Sequence, residues 1–153
     1  MITETKDAAV VAKLNRFVHD LHVEWYPDIF KPYNYELIHE MMQEKMKQPE
    51  HIFFLIEDED EPVGFVWVEE RHQEENDFKK SHSSMYVHQI SVDTTKQQKG
   101  YGRQLLNKVE EQALEKGIHE VELDYWLENE GAQTFYEKQG FTKQREFVRR
   151  RLK

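Results

Sequence analysis

Gln97-Gln98-Lys99-Gly100-Tyr101-Gly102 stands between a strand-like run and an amphipathic helix, and that context decides the fold. Upstream, Met85-Tyr86-Val87-His88-Gln89-Ile90-Ser91-Val92 is rich in β-branched and apolar side chains, and Asp93-Thr94-Thr95 breaks the run. Downstream, Gly102, Leu105, Leu106, Val109 and Ala113 fall on one helical face, with Gly117 where a C-cap belongs. Two glycines at a helix entrance let the backbone approach an anion closely, and the unpaired N–H groups and positive dipole end of the helix face it. A diphosphate is the natural guest.

What is missing narrows the choice. A dinucleotide fingerprint needs a third glycine where this chain has Leu105, and a phosphate-binding P-loop needs Gly-Lys-Ser or Gly-Lys-Thr after the second glycine. The pattern that survives is Gln-x-x-Gly-x-Gly. A second motif follows an expected strand over residues 119–125. It reads Asn129-Glu130-Gly131-Ala132-Gln133-Thr134-Phe135-Tyr136-Glu137-Lys138-Gln139-Gly140-Phe141, or Asn-x-x-Ala-x-x-Phe-Tyr-x-x-x-Gly-Phe. In this order and spacing the two motifs resemble the signatures of the GNAT acetyltransferases, the Gcn5-related N-acetyltransferase superfamily. The close resemblance runs over residues 85–141.

The resemblance implies acetyl-CoA as co-substrate and an amine as acceptor. Gln97, Gln98, Lys99, Gly100, Tyr101, Gly102 and Arg103 would hold the CoA pyrophosphate, largely through backbone N–H groups, with Gln97 and Lys99 adding side-chain contacts. Gln98 stands where many members carry Gly, and the expectation is that this position needs no positive φ. Ile90, Ser91 and Val92 occupy the strand positions whose backbone pairs with the pantetheine arm and donates an N–H to the thioester oxygen, a small oxyanion hole. Asn129 would hydrogen-bond the pantetheine arm or serve as a helix N-cap, roles that are compatible. Tyr136 matches the position that protonates the departing thiolate, where a phenol mainly stabilises developing charge. A protonated amine must lose a proton before it attacks, and His88, Tyr86 on the same strand face, or solvent would receive it. His22, Trp25, Tyr26 and Phe30 lie between the first two expected helices, where the acceptor pocket would form, although such clusters are often local core.

Composition bounds the remaining choices. The chain has 153 residues, a formal net charge of -9 and no cysteine. That length suits one domain, residues 1–153. Charges throughout residues 1–25 and the lack of a long apolar run predict a cytoplasmic protein with no membrane partner, and the negative average disfavours nucleic acid. The absence of cysteine excludes disulfides, thiolate metal sites and a Cys nucleophile, so transfer would be direct, through a ternary complex. No metal is expected, since His19 and His22 lack a third ligand signature. The acceptor is a small, cationic amine in the favoured reading. A protein amino group, or a CoA-binding sensor that has lost catalysis, are the alternatives.

The periodicities predict the element order β-α-α-β-β-β-α-β-α-β, an α/β fold with a mixed, mostly antiparallel central sheet flanked by helices. Residues 1–5 form a first strand, Asp7 caps a helix, a second helix covers 35–47, and strands at 52–56 and 63–68 flank a turn at 58–62. Residues 71–84, polar and aperiodic, read as a mobile connection bordering the acceptor site. The acidic run Glu57-Asp58-Glu59-Asp60-Glu61 reads as a solvated hairpin tip. Residues 146–152 read as a last strand, with Arg149-Arg150-Arg151 discouraging edge pairing and Phe147 marking a potential homodimer contact, although a monomer fits equally.

Overall fold

Residues 52–56 are apolar without a break, which in a strand means burial on both faces. The computed structural model, which describes residues 1–96 and 98–153, shows why. Strands β1 (Ile2–Glu4), β2 (His51–Asp58), β3 (Glu61–Gln73), β4 (His82–Val92) and β5 (Val121–Leu123) form one sheet in the order β1-β2-β3-β4-β5. All neighbours are antiparallel except β4 and β5, which run parallel.

Helices cover both faces. On one, Ile52, Phe54, Ile56, Val66, Val68, Met85 and Val87 pack against Leu105, Val109 and Ala113 of α3 (Tyr101–Glu115). On the other, Phe53, Leu55, Phe65 and Trp67 meet Val11 and Leu14 of α1 (Ala8–Trp25) and Met42 and Met46 of α2 (Tyr35–Met46). The short helix α4 (Glu130–Lys138) follows β5.

Two expectations give way here. Residues 71–73 and 82–84 are strand, since β3 and β4 stay paired through Arg71↔Ser84, His72↔Ser83 and Gln73↔His82, so only 74–81 is left as the connection. A ladder is built from backbone groups, so beyond the helices' cover its side chains need no apolar alternation. His72 Nδ1 and Ser83 Oγ even make a cross-strand contact of 2.7 Å. The expected strand over 146–152 is not formed, because the segment takes no place in the sheet.

Register carries the most consequential local feature. Trp67 pairs with Gln89 but Val68 pairs with Val87, so His88 is the extra residue of a β-bulge. Bulges bend a strand and re-aim a side chain. Pairing of β4 with β5 also stops at Val87↔Leu123, leaving the β4 residues 88–92 without a neighbour on that side.

Candidate active site

Three of the four α-helices begin with a side-chain cap. Asp7, Asn34 and Asn129 accept from the N–H groups of Val10, Leu37 and Ala132. Helix α3 begins with none. Its N-cap is Gly100, in the left-handed region at φ +82°, and a Cβ there would meet nothing within 4 Å. Because the first intrahelical bond runs from Gln104 N–H to the Gly100 carbonyl at 3.1 Å, the first-turn N–H groups are left for an external acceptor. Lys99 and Arg103 are exposed beside them, and neither is ion-paired among the described residues. An uncapped helix start beside these two cations is an arrangement suited to an anion.

Gln98 corrects an expectation, since it does take a positive φ, +67°. A side chain in this region costs about 1–2 kcal/mol. Glycine relieves that cost but loses more entropy on folding. We expect Gln98→Gly to raise the thermal midpoint by about 1–3 °C, measured by calorimetry without ligand. Gln97 lies outside the described residues.

The acidic hairpin tip is more than solvated surface. Glu59 and Asp60, at φ +52° and +64°, make the tight turn, and the residues flanking them grip the anion loop. The Tyr101 hydroxyl donates to Asp58, and Lys96 Nζ reaches Glu61 Oε2 at 2.6 Å. Asp93 turns the chain out of β4 by accepting from Thr95 N–H at 2.9 Å and Thr95 Oγ at 2.8 Å.

The two sequence motifs meet in space. A Cβ on Gly102 would lie 3.5 Å from Phe135, so the helix start packs directly against α4. Tyr136 sits among Phe135, Tyr125 and Phe141, with ring centroids 5.1, 6.2 and 5.5 Å away. Burial pushes its pKa up to about 12, and among the described residues nothing hydrogen-bonds its hydroxyl. The phenol therefore keeps its proton through the neutral range and has it free to give. Ser91 is fully buried, and its Oγ donates to the Leu14 carbonyl at 2.7 Å, so only its backbone can face a ligand. Ile90 and Val92 pack onto the α3-side core. Asn129 caps α4, accepting from Ala132 N–H at 3.0 Å.

On the other sheet face, His88 shares Tyr86's side of β4 and enters a polar cluster. Its ring stacks on Trp67 at 4.3 Å and meets Tyr86 edge-on at 4.9 Å. His88 Nε2 lies 2.8 Å from Glu69 Oε1, which also accepts from Arg71 Nε at 3.1 Å. Burial opposes the charge of Glu69, but the hydrogen bonds from His88 and Arg71 more than offset it and hold the carboxyl below its ordinary range. An ionised carboxylate only accepts, so the His88 proton sits on Nε2 and Nδ1 carries the free lone pair. Burial lowers the pKa of His88, with Glu69 partly countering it, so the ring is neutral near pH 7. Tyr86 donates to Asp124 Oδ2 at 2.6 Å, and burial followed by that bond raises its pKa to about 12, which removes it as a base.

His51, Glu69 and His88 bring ligand atoms within 4.8 Å of one another, as do His82, Glu120 and Glu122. At the first cluster the tautomer decides. The Trp67 indole N–H can only donate, and it gives its hydrogen to His51 Nδ1 at 2.9 Å. Neutral His51 then keeps its proton on Nε2, turned toward Glu69 Oε2 at 3.9 Å, with no lone pair left for a cation. As arranged, His51 and His88 each carry their proton on Nε2.

The aromatic cluster assembles as well. His22 stacks on Phe30 at 4.9 Å and lies 6.2 Å from Trp25, while Tyr26 and Phe30 meet Trp126 at 4.6 and 5.3 Å. Tyr26 Oη accepts from Glu128 N–H at 3.2 Å, tying the end of α1 to the loop that leads into α4. Burial and the nearby His19 lower the pKa of His22.

Residues 15–141 match the sequence model described as the Acetyltransferase (GNAT) family. The chain belongs to the GNAT acetyltransferases. It is 36% identical over 101 residues to an uncharacterized N-acetyltransferase of Methanocaldococcus jannaschii, a match covering 63% of this chain. That match spans 41% of the relative's length. A Bacillus halodurans protein, solved as a tetramutant, superposes with a TM-score of 0.94 at 23% identity, over 99% of both chains. The aminoglycoside acetyltransferase AAC(6′)-Iy, in complex with the bisubstrate analog CoA-S-monomethyl-acetylneamine, gives 0.73 at 18% identity, over 100% of this chain and 97% of that one. These likenesses show the fold. Among the described residues no helix is long and apolar enough to cross a membrane.

Within this GNAT frame the sequence missed Glu69, His51, Asp58 and Trp126. Glu69 had a signal, because it shares a strand face with Trp67 at the end of an apolar run. The others are brought to the site by tertiary pairing alone.

Proposed function

We propose that this chain is an N-acetyltransferase that moves the acetyl group of acetyl-CoA directly onto the amine of a small cationic molecule, in a ternary complex in the cytoplasm, with residues 1–153 forming one catalytic domain. The observation that carries this reading is the uncapped start of α3 at Gly100, set against the motif helix that bears Tyr136. Gly100, Tyr101, Gly102 and Arg103 would hold the pyrophosphate by their N–H groups, with Lys99 alongside. The unpaired side of residues 88–92 would take the pantetheine arm as an added strand, presenting N–H groups to the carbonyl oxygen.

Acetyl-CoA supplies the thioester carbonyl. His88 Nδ1 takes the proton that the acceptor nitrogen loses as its bond to the acetyl carbon forms. Tyr136 offers its hydroxyl hydrogen to the sulfur as the C–S bond breaks. Transfer from a phenol of high pKa to a thiolate is uphill, so Tyr136 works chiefly as a hydrogen-bond donor to growing charge. Glu69, Glu122 and Asp124 surround this face and suit an acceptor with more than one positive charge. The complex of AAC(6′)-Iy with an acetylneamine analog supports the same acceptor class.

Thermal unfolding with acetyl-CoA, with ADP and NAD as controls, tests the reading. Ligand at about a hundred times its dissociation constant stabilises by roughly 2.7 kcal/mol, or about 5–10 °C here. A rise with acetyl-CoA and little with the controls is expected, and no rise at saturation would overturn it. The acceptor is then found by screening amines for CoA thiol release, which a chain without cysteine reports free of background.

A further inference from the structure

Helix α1 meets the sheet through Ala8, Val11 and Leu14, and in the same buried stripe it carries Asn15, which is 1% exposed. An amide at such a position lowers stability unless both of its polar atoms are paired. Only one of them is. Asn15 Nδ2 donates to Gln89 Oε1 at 2.8 Å, while the buried Oδ1 has no partner among the described residues. An apolar side chain of the same branching would leave no orphaned oxygen, so the packing of α1 gives no reason for an asparagine here. The reason lies at the other end of the bond.

Gln89 is the first residue beyond the β4 bulge. Side chains alternate along a regular strand, which would turn Gln89 away from the face that His88 occupies. The bulge resets the alternation. Gln89 pairs with Trp67 and Ser91 with Phe65, both in the α1-side core, whereas Ile90 and Val92 pack on the α3 side. His88 and Gln89 therefore turn consecutive side chains to the α1 face.

Among the described residues two side-chain bonds tie the segment after the bulge to α1. One joins Gln89 to Asn15, and the other runs from Ser91 Oγ to the Leu14 carbonyl at 2.7 Å. Ser91 asks only for backbone, so the Gln89 bond is the one that depends on which residue α1 presents. On its outer edge the segment has no strand to steady it, since pairing with β5 ends at Val87.

We infer that Asn15 is a positioning residue for the acetyl group: by tying Gln89 to α1, it fixes the backbone of residues 88–92 at the setting in which an N–H meets the thioester oxygen. The inference rests on the proposed function, in which this open edge receives the pantetheine arm. Asn15 touches neither substrate and acts through Gln89. CoA without its acetyl group has no thioester oxygen and is indifferent to the setting. The orphaned Oδ1 fits this role, because geometry that serves a ligand is commonly kept at a cost in stability.

Calorimetric titration of the parent chain and of Asn15→Leu, with acetyl-CoA and with CoA, tests the inference. The affinity of the variant for acetyl-CoA should fall about fivefold, the loss of one hydrogen bond, while its affinity for CoA stays within about twofold. A tether that served stability alone would weaken both ligands together, and that result overturns the inference, as does an unchanged affinity for acetyl-CoA. Gln89→Met breaks the same bond from its half-buried end and supplies the measurement should Asn15→Leu not fold. It should show the same split, with no further loss in the double variant, whereas full additivity would overturn the coupling. A parent chain that binds neither ligand overturns the proposed function and this inference with it, so the two failures are told apart.

Discussion

Replacing His88 by alanine is expected to lower kcat/KM about 10²-fold near neutral pH, the low end of what a positioned base contributes. The loss should shrink as pH rises, because solvent deprotonates more of the amine without help. The neighbours of His88 make a sharper form of this result. Its ring must be neutral to accept a proton, so the acid limb of the rate profile follows its pKa. Burial sets that pKa low, and Glu69 counters it through a hydrogen bond and its charge. Glu69→Gln keeps an acceptor at Nε2 but removes the charge, so the pKa falls further and the acid limb moves to lower pH. CoA thiol release followed against pH in both variants is the measurement. An unmoved limb in Glu69→Gln would show that His88 is not the base.

Tyr136→Phe is expected to lower kcat about 10²-fold while acetyl-CoA binding, followed by calorimetry, stays within about twofold. The hydroxyl has no hydrogen-bond partner among the described residues, so its loss leaves no buried group unsatisfied. The ring stays packed among Phe135, Tyr125 and Phe141. The variant should therefore fold as the parent does, and its thermal midpoint checks this. Unchanged turnover would remove Tyr136 from the chemistry. A parent chain that binds acetyl-CoA but acetylates no amine in a broad panel would instead point to a sensor module.

The order of the elements was legible in the sequence because each announces itself locally. Asp7 and Asn34 cap their helices, residues 52–56 are continuously apolar, and Gly117 ends α3 at φ +72°. The two motifs were legible for the same reason, since each is one contiguous segment joined to one helix. Features that depend on how distant segments register were hidden. The bulge at His88 is a mismatch between two strands, and no local pattern encodes it. Glu69 becomes part of the site because its register partner on β4 is Tyr86, which sets its carboxylate beside His88. Trp126 joins Tyr26 and Phe30 across roughly 100 residues of chain. The strand expected over 146–152 failed differently. Its pattern suits a strand, but a strand forms only where an edge receives it, and this chain's own tail is directed elsewhere.

The turn between β2 and β3 holds the anion loop through Asp58 and Glu61, on the far side of the sheet from the pocket-forming ends of α1 and β5. Under the proposed function, cofactor grip and acceptor choice would rest on separate supports. On that reading, a lineage could remodel the aromatic cluster and so change its substrate, while the nucleotide handle stayed as it was. The layout is a modular tool, with a fixed shank and an interchangeable bit.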